Sequence, residues 1–218
     1  MTKNIAIDGP AGAGKSTIAK MVAKKLGFIY IDNGAMYRAT GLYMMKKGIK
    51  GDDTASIVKE CDNVQIELTY EDGVQQVILN GENVSGEIRT DAVGKMASDV
   101  AKINEVRIKL VSLQQLLAQK ENVVMDGRDI GTQVLPNADL KIFMTASSKE
   151  RAKRRYLEYK EKGIACDIED IEKDIIARDE QDMNREISPL KQAEDAIYLD
   201  TSDLSIEEVV EAIISKFH

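Results

Sequence analysis

Short apolar runs alternate along the chain with longer segments in which apolar residues recur every three or four positions. The short runs end at glycine or polar residues, and they predict buried strands over residues 4–8, 28–31, 123–125, 140–144 and 196–199. The longer segments have the helical period, and they predict helices over residues 16–26, 35–47, 148–162, 168–186 and 206–217. This alternation predicts an α/β fold with a five-stranded parallel sheet flanked by helices.

The region from residue 62 to residue 119 interrupts this alternation. Residues 64–70 and 74–79 alternate in the β manner around Glu-Asp-Gly, and Asn80-Gly81 predicts a further turn. Two polar helices are expected after this small antiparallel insert, over 91–101 and 105–119. We therefore predict a core made of residues 1–61 and 120–218, with an insert at 62–119.

Composition narrows the classes of function. The net charge of −7 disfavours general binding to nucleic acid or to anionic membranes. Cys61 and Cys166 have no metal-binding spacing, which is typical of free thiols in the cytoplasm. The one histidine in the sequence, His218, is its last residue, so catalysis by histidine is not expected. We expect no signal peptide, no membrane-spanning segment and no obligate protein partner from this sequence.

A phosphate-binding motif follows the first predicted strand and precedes the first predicted helix. It matches G-x-x-x-x-G-K-[ST] and consists of Gly9, Pro10, Ala11, Gly12, Ala13, Gly14, Lys15 and Ser16. In such a P-loop the backbone N–H groups surround the phosphates, the lysine reaches the β- and γ-phosphates, and the hydroxyl binds Mg²⁺. We expect Lys15, Ser16 and the adjacent Thr17 to contact ATP, although glycine-rich turns of this kind also occur without nucleotides.

The reaction class follows from what accompanies the P-loop. The sequence lacks Asn-Lys-x-Asp, which reads guanine in GTPases, and Leu-Ser-Gly-Gly-Gln of transport ATPases. These absences favour a small-molecule kinase. A kinase of CMP, UMP, AMP or another metabolite remains open at this point, as does a nucleotide-dependent switch protein.

Arginines for a second anion follow other predicted strands. Arg38 lies after the second strand, and Arg128 lies after the third, within Asp-Gly-Arg-Asp. Open α/β sheets bind ligands at these strand ends. Asp126, at the end of the third strand, is a candidate Mg²⁺ ligand through water. A surface salt bridge is the alternative for Arg38.

The helix over 168–186 has one face that begins apolar and ends charged. Its members are Ile171, Ile175, Arg178, Asp182 and Arg185. A face that changes in this way favours contact with a polar ligand, and the alternative is an ion-pair ladder on the surface. Three arginines start the preceding helix, and they are Arg151, Arg154 and Arg155. We expect a helical lid over about 151–185 in which these arginines contact ATP, with solvated charge as the alternative.

Several longer motifs resemble those of the bacterial cytidylate kinases, which are nucleoside monophosphate kinases. They include Gly-Ala-Met-Tyr-Arg, Val-Ser-Gly-Glu-Ile-Arg-Thr, Asp-Gly-Arg-Asp-Ile-Gly-Thr and Arg-Asp-Glu-Gln-Asp-Met-Asn-Arg, so the match runs nearly from end to end. The resemblance implies transfer of the γ-phosphoryl group of ATP to CMP, and to dCMP, with Mg²⁺. It also implies a five-stranded parallel sheet with a lid and an insert that binds the acceptor.

The resemblance further implies a role for each acceptor residue. The acceptor phosphate would be bound by Arg38, Arg128 and Arg185. Cytosine would be bound by Ser98, Arg107 and Asp129, and the sugar hydroxyls by Arg178 and Asp182. With Lys15, the phosphate-binding Arg128 and Arg185 would carry the catalysis. Asn33 departs from the family, which usually has Ser or Thr there, and this puts one acceptor contact in question.

Overall fold

The computed structural model describes residues 2–71 and 73–217. Its contacts divide the chain into two compact units. The core unit comprises residues 2–30 and 118–217, and the second unit comprises residues 31–117. Residues 31–61 therefore group with the second unit, whereas the sequence division assigns them to the core. The functional boundaries that we assign from the sequence stay a prediction.

A five-stranded sheet forms the centre of the core unit, and of its residues only Ile31 and Asp32 group with the second unit. Its strands are β1 (Asn4–Asp8), β2 (Ile29–Asp32), β6 (Val123–Gly127), β7 (Leu140–Thr145) and β8 (Ile197–Asp200). They pair in the order β2-β6-β1-β7-β8, and β1 is parallel to both β6 and β7. Strand β1 lies at the centre of the sheet. Its side chains Ile5, Ala6 and Ile7 are fully buried. The predicted parallel sheet is confirmed.

Helices α1 (Lys15–Leu26) and α8 (Ile206–Ile214) pack against this sheet, whereas α6 (Ser148–Glu161) and α7 (Ile168–Met183) pack on each other around Ala152, Ile171 and Ile175. The apolar stripe of α1 packs in one core with Val209, Val210 and Ile213 of α8. Helix α8 begins with the predicted capping box, in which Ser205 and Glu208 bond each other's backbone N–H groups. Helix α7 ends at Met183 rather than at residue 186, because Asn184 leaves the helical conformation.

The second unit combines helices with a small antiparallel sheet. The sheet has the order β3-β4-β5, with β3 (Ile66–Glu71), β4 (Val74–Leu79) and β5 (Glu82–Asn83). Its helices are α2 (Asn33–Lys46), α3 (Thr54–Cys61), α4 (Asp91–Val100) and the part of α5 (Asn104–Lys120) up to residue 117. Gly41 lets α2 approach α4 closely, since a Cβ there would lie 3.0 Å from the Ala97 nitrogen.

Two features of the second unit differ from the sequence prediction. Helix α2 begins at Asn33 rather than at residue 35, because the carboxylate of Asp32 caps it by accepting a hydrogen bond from the Ala35 N–H. Helix α3 was not predicted, and its eight residues are too few to give a clear period. No helix in the described residues has the length and hydrophobicity needed to cross a bilayer.

Candidate active site

The P-loop of the core unit connects β1 to α1 and has the geometry that the motif predicts. Gly9 and Gly14 both have positive φ values, 149° and 86°. A side chain at Gly9 would collide with the Met144 carbonyl oxygen, so only glycine fits there. The loop ends at the first turn of α1, where free backbone N–H groups and the helix dipole favour an anion.

Lys15 is buried at the start of α1, and its Nζ donates a hydrogen bond to the Pro10 carbonyl oxygen at 2.7 Å. Burial and the nearby Arg128 charge lower the pKa of Lys15 to about 7, and they outweigh the opposing effects of Asp126 and Asp8. A buried cation of this kind is stabilised by an incoming anion. The lysine is therefore placed to gain a charged partner when phosphates enter the loop.

Asp8, at the end of β1, is a functional candidate that the sequence reasoning missed. Its carboxylate accepts hydrogen bonds from the backbone N–H groups of Ile130 at 2.8 Å and Gly131 at 2.7 Å. Burial raises the pKa of Asp8 to about 6, although these two hydrogen bonds oppose the shift. Asp8 thus holds the turn that directly follows Asp129. The sequence signal that could have identified Asp8 is a charged residue at the end of an apolar strand.

Ser16 and Asp126 place two potential oxygen ligands for a metal ion side by side next to the P-loop. The hydroxyl of Ser16 donates to one carboxylate oxygen of Asp126 at 2.9 Å, and the Tyr30 hydroxyl donates to the other at 2.7 Å. A hydroxyl beside a carboxylate matches the ligand preference of Mg²⁺, which also uses substrate phosphates and water. In residues 2–71 and 73–217 no three side chains of His, Cys, Asp or Glu cluster as a self-sufficient metal site.

The charged face of α7 contacts Arg128 through Asp182. One oxygen of Asp182 accepts from Arg128 Nε at 2.8 Å, and the other lies 3.6 Å from Arg185 Nη1. Burial opposes ionisation, but Arg128 and Arg185 still hold the pKa of Asp182 below its usual range. The side chains of Asp182 and Arg185 are each 7% exposed, so the solvated-ladder alternative is wrong for them. Arg178 lies one turn earlier on the same helix.

Two of the predicted lid arginines contact the P-loop backbone. Arg151 is buried, forms an ion pair with Asp179 at 2.6 Å, and donates to the Ala11 carbonyl at 3.0 Å. Arg154 donates to the Ala13 carbonyl at 3.1 Å. Solvated charge is therefore the wrong alternative for Arg151, and both arginines support the shape of the loop. Whether they also contact ATP stays a prediction.

The third lid arginine has different surroundings. The guanidinium of Arg155 lies 4.7 Å from the ring centroid of Tyr159, and its side chain is 39% exposed. Of the three lid arginines, Arg155 is therefore the nearest to the solvated alternative.

The second unit contains four of the predicted acceptor residues. Arg38 Nη1 donates to the Ile88 carbonyl at 3.3 Å and lies beside Gly94, where a Cβ would be only 3.1 Å away. The hydroxyl of Ser98 donates to the Gly94 carbonyl at 3.3 Å. The side chains of Arg38 and Ser98 therefore both lie next to Gly94.

Arg107 and Asn33 are the other two, and both are buried. Arg107 donates to the Ala101 carbonyl at 3.1 Å, and its guanidinium lies 5.5 Å from the ring centroid of Tyr37. Arg107 is therefore not a solvent-exposed residue on the surface of α5. Asn33 is the first residue of α2, and its Oδ1 accepts a hydrogen bond from Gln114.

Comparison with known proteins gives a consistent result. The family model described as Cytidylate kinase matches residues 5–218. The protein named cytidylate kinase in Caldicellulosiruptor saccharolyticus is 54% identical over 99% of this chain and 95% of its own. The corresponding protein of Lactobacillus johnsonii is 52% identical over 96% of this chain and 91% of its own.

Solved structures agree on the fold. A gluconokinase from Sinorhizobium meliloti superposes with a TM-score of 0.51 over 99% of this chain and 91% of its own, at 14% identity. That identity supports the kinase fold and nothing finer. The family match over nearly the whole chain, together with the high identity of the relatives, shows that this chain belongs to the cytidylate kinase family.

Proposed function

We propose that the protein transfers the γ-phosphoryl group of ATP to CMP, and also to dCMP, which yields ADP with CDP or dCDP. The observation that carries the proposal is 54% identity, over 99% of the chain, to a protein named cytidylate kinase. The P-loop with its buried lysine supports the donor half of the reaction. Arg128 and Arg185, which both contact the Asp182 carboxylate, support the binding of a second anion.

On the donor side, the P-loop backbone and Lys15 would bind the phosphates of ATP. Arg151 and Arg154 support this loop through the carbonyls of Ala11 and Ala13. Ser16 and Asp126 are the residues that would hold Mg²⁺, which neutralises charge on the β- and γ-phosphates. Their oxygen atoms are already neighbours at 2.9 Å, which is consistent with this role.

On the acceptor side, we assign the phosphate of CMP to Arg38, Arg128 and Arg185. Arg128 and Arg185 already bind the two oxygens of one carboxylate. Phosphate oxygens suit the same donors, because guanidinium groups form charge-assisted hydrogen bonds with both oxyanions. Arg178 and Asp182 are assigned to the sugar hydroxyls.

Cytosine is assigned to Ser98, Arg107 and Asp129. A carboxylate accepts a hydrogen bond from the N4 amino group, whereas Ser98 and Arg107 can donate to N3 and O2. Uracil has a carbonyl oxygen at C4, so it would face the buried Asp129 carboxylate with an acceptor. The proposal therefore includes a preference for CMP over UMP.

The chemistry needs no general base, since the nucleophile is a phosphate oxygen that is already deprotonated at neutral pH. Catalysis then depends on alignment and on neutralising the charge that develops during transfer. Lys15, Arg128 and Arg185 supply that positive charge. Closure of the predicted lid would exclude water and so limit hydrolysis of ATP.

An acceptor panel tests the proposal. ADP release would be measured with ATP and each of CMP, dCMP, UMP, AMP and GMP, and without acceptor. We expect the highest kcat/KM with CMP and dCMP. A higher value with AMP or GMP would identify another acceptor, and ADP release that needs no acceptor would identify a nucleotide-dependent switch. A cytoplasmic location and the absence of an obligate protein partner stay predictions from the sequence.

A further inference from the structure

The second unit contains a buried pair of amide side chains that the proposed mechanism does not yet use. Gln114, on α5, is 0% exposed, and Asn33, at the start of α2, is 3% exposed. Gln114 Nε2 donates a hydrogen bond to Asn33 Oδ1, although the two residues are 81 positions apart in the sequence. A buried amide is costly without a hydrogen bond, so this pairing is a specific feature of the fold.

The sulfur of Met36 favours the orientation in which the Gln114 amide nitrogen faces Asn33, and within residues 2–71 and 73–217 the Gln114 Oε1 is then buried without a hydrogen-bond partner. Gln114 Nε2 lies 3.6 Å from Met36 Sδ, which is a weak acceptor. The nitrogen has two hydrogens and can donate to both the sulfur and Asn33 Oδ1. The reversed amide would direct Oε1 at the sulfur, and two acceptors would then face each other.

This arrangement determines the orientation of Asn33 as well. Because Asn33 Oδ1 accepts from Gln114, the outer end of the amide is Nδ2. In residues 2–71 and 73–217, Asn33 Nδ2 donates no hydrogen bond. It lies at the N-terminus of a 14-residue helix, where the helix dipole also favours an anion. This amide nitrogen, on a side chain that is almost fully buried, is therefore available to donate to an anionic ligand.

We propose that Gln114 is a positioning residue for the acceptor phosphate: it holds the Asn33 amide with Nδ2 directed toward the phosphate of CMP. The inference deepens the proposed function and rests on it. Asn33 would then donate the hydrogen bond for which the family usually has a Ser or Thr hydroxyl. A hydroxyl rotates freely and can donate without help, whereas an amide must be oriented because its other end is an acceptor.

A double-mutant cycle tests whether Gln114 acts through Asn33. Gln114→Met keeps a similar volume but removes the donor, so Asn33 has to be ordered by the ligand itself. We expect the KM for CMP to rise about three- to tenfold, the usual effect of ordering one side chain on binding. The KM for ATP and the melting temperature should change little. Gln119→Met is the matched control, because it makes the same replacement at an exposed position of α5.

The second arm of the cycle repeats Gln114→Met in the Asn33→Ser background. The serine hydroxyl needs no orientation, so here the replacement should change the KM for CMP by less than about twofold. An equal effect in both backgrounds, or no effect in the unmodified protein, would overturn the proposal. A parallel rise in the KM for ATP with a lower melting temperature would do the same, since it would indicate a general packing role.

Asn33→Asp gives an independent test that leaves Gln114 in place. It retains the oxygen that accepts from Gln114 but replaces the outer Nδ2 with a carboxylate oxygen. We expect the KM for CMP to rise at least about tenfold, because a charge-assisted hydrogen bond becomes a repulsion. An unchanged KM for CMP would contradict the proposal. If the unmodified protein does not phosphorylate CMP at all, the proposed function fails first, which separates the two failures.

Discussion

The P-loop and the second unit hold their functional groups in different ways. The P-loop relies on main-chain N–H groups, whose directions are set by glycines over a few consecutive residues. The second unit relies on side chains, and two of them are held by partners far away in sequence, Arg38 by the Ile88 carbonyl and Asn33 by Gln114. The two arrangements should therefore respond differently to substitution.

The difference has a functional consequence. All acceptors share one donor, so damage to the P-loop should reduce transfer to every acceptor equally. The side chains assigned to the acceptor should instead affect one substrate, or one part of it. Each of the following substitutions tests this contrast, and they are ordered from the largest expected effect to the smallest.

Lys15→Ala should have the largest effect. It removes a charge that stabilises the transferring phosphoryl group, and we expect a loss of about 2 to 4 kcal/mol of transition-state stabilisation. The loss should be the same with CMP and dCMP, while the circular dichroism spectrum stays unchanged. Turnover near that of the unmodified protein would show that the P-loop assignment is wrong.

Arg185→Ala and Arg154→Ala form a contrasting pair within the core unit. We expect Arg185→Ala to raise the KM for CMP by about tenfold or more, the usual worth of a hydrogen bond to a charged group, with little effect on ATP. Arg154→Ala should affect ATP instead, because Arg154 supports the P-loop through the Ala13 carbonyl. Steady-state kinetics with each substrate varied would measure both. If each variant altered both KM values alike, the separation of donor and acceptor residues would be lost.

Asp129→Ala should change the selectivity for CMP over UMP more than it changes the activity with UMP. It removes the acceptor for the cytosine amino group together with the charge that repels the uracil oxygen. We expect the ratio of kcat/KM for CMP to that for UMP to fall by about tenfold. Competition between the two substrates in one reaction gives this ratio directly, and the same ratio in both proteins would mean that Asp129 does not bind the base.

Asn33→Ser should have the smallest effect. Both side chains can donate a hydrogen bond to the acceptor phosphate, so we expect less than about a fivefold change in the KM for CMP, or roughly 1 kcal/mol. The KM for ATP should hardly change. A large change confined to ATP would place Asn33 on the donor side and contradict its assignment.

The same contrast explains what the sequence could predict. Strand–loop–helix order and glycine spacing are local, so the P-loop and the parallel sheet could be predicted from a few consecutive residues. The pairing of Asp182 with Arg128 joins residues 54 positions apart, and no local pattern contains it. Asp8 was missed for a related reason, since its partners are backbone N–H groups more than 120 positions away.

Asn33 shows a further limit of prediction from the sequence. The family resemblance identified it as a departure, but the compensating residue is Gln114, on a different helix. The amphipathic pattern of α5 predicts only that Gln114 is polar. Its full burial depends on how α5 packs within the second unit, which only the structure reveals.

The central claim is phosphoryl transfer from ATP to CMP, and following the γ-phosphate of ATP tests it most directly. ATP with a radiolabelled γ-phosphate would be incubated with the protein, Mg²⁺ and CMP, and the products separated by chromatography. The account predicts that the label appears in CDP, at a rate equal to that of ADP formation, and that Lys15→Ala slows both at least about thirtyfold. Label that accumulates in inorganic phosphate, whether or not CMP is present, would contradict it.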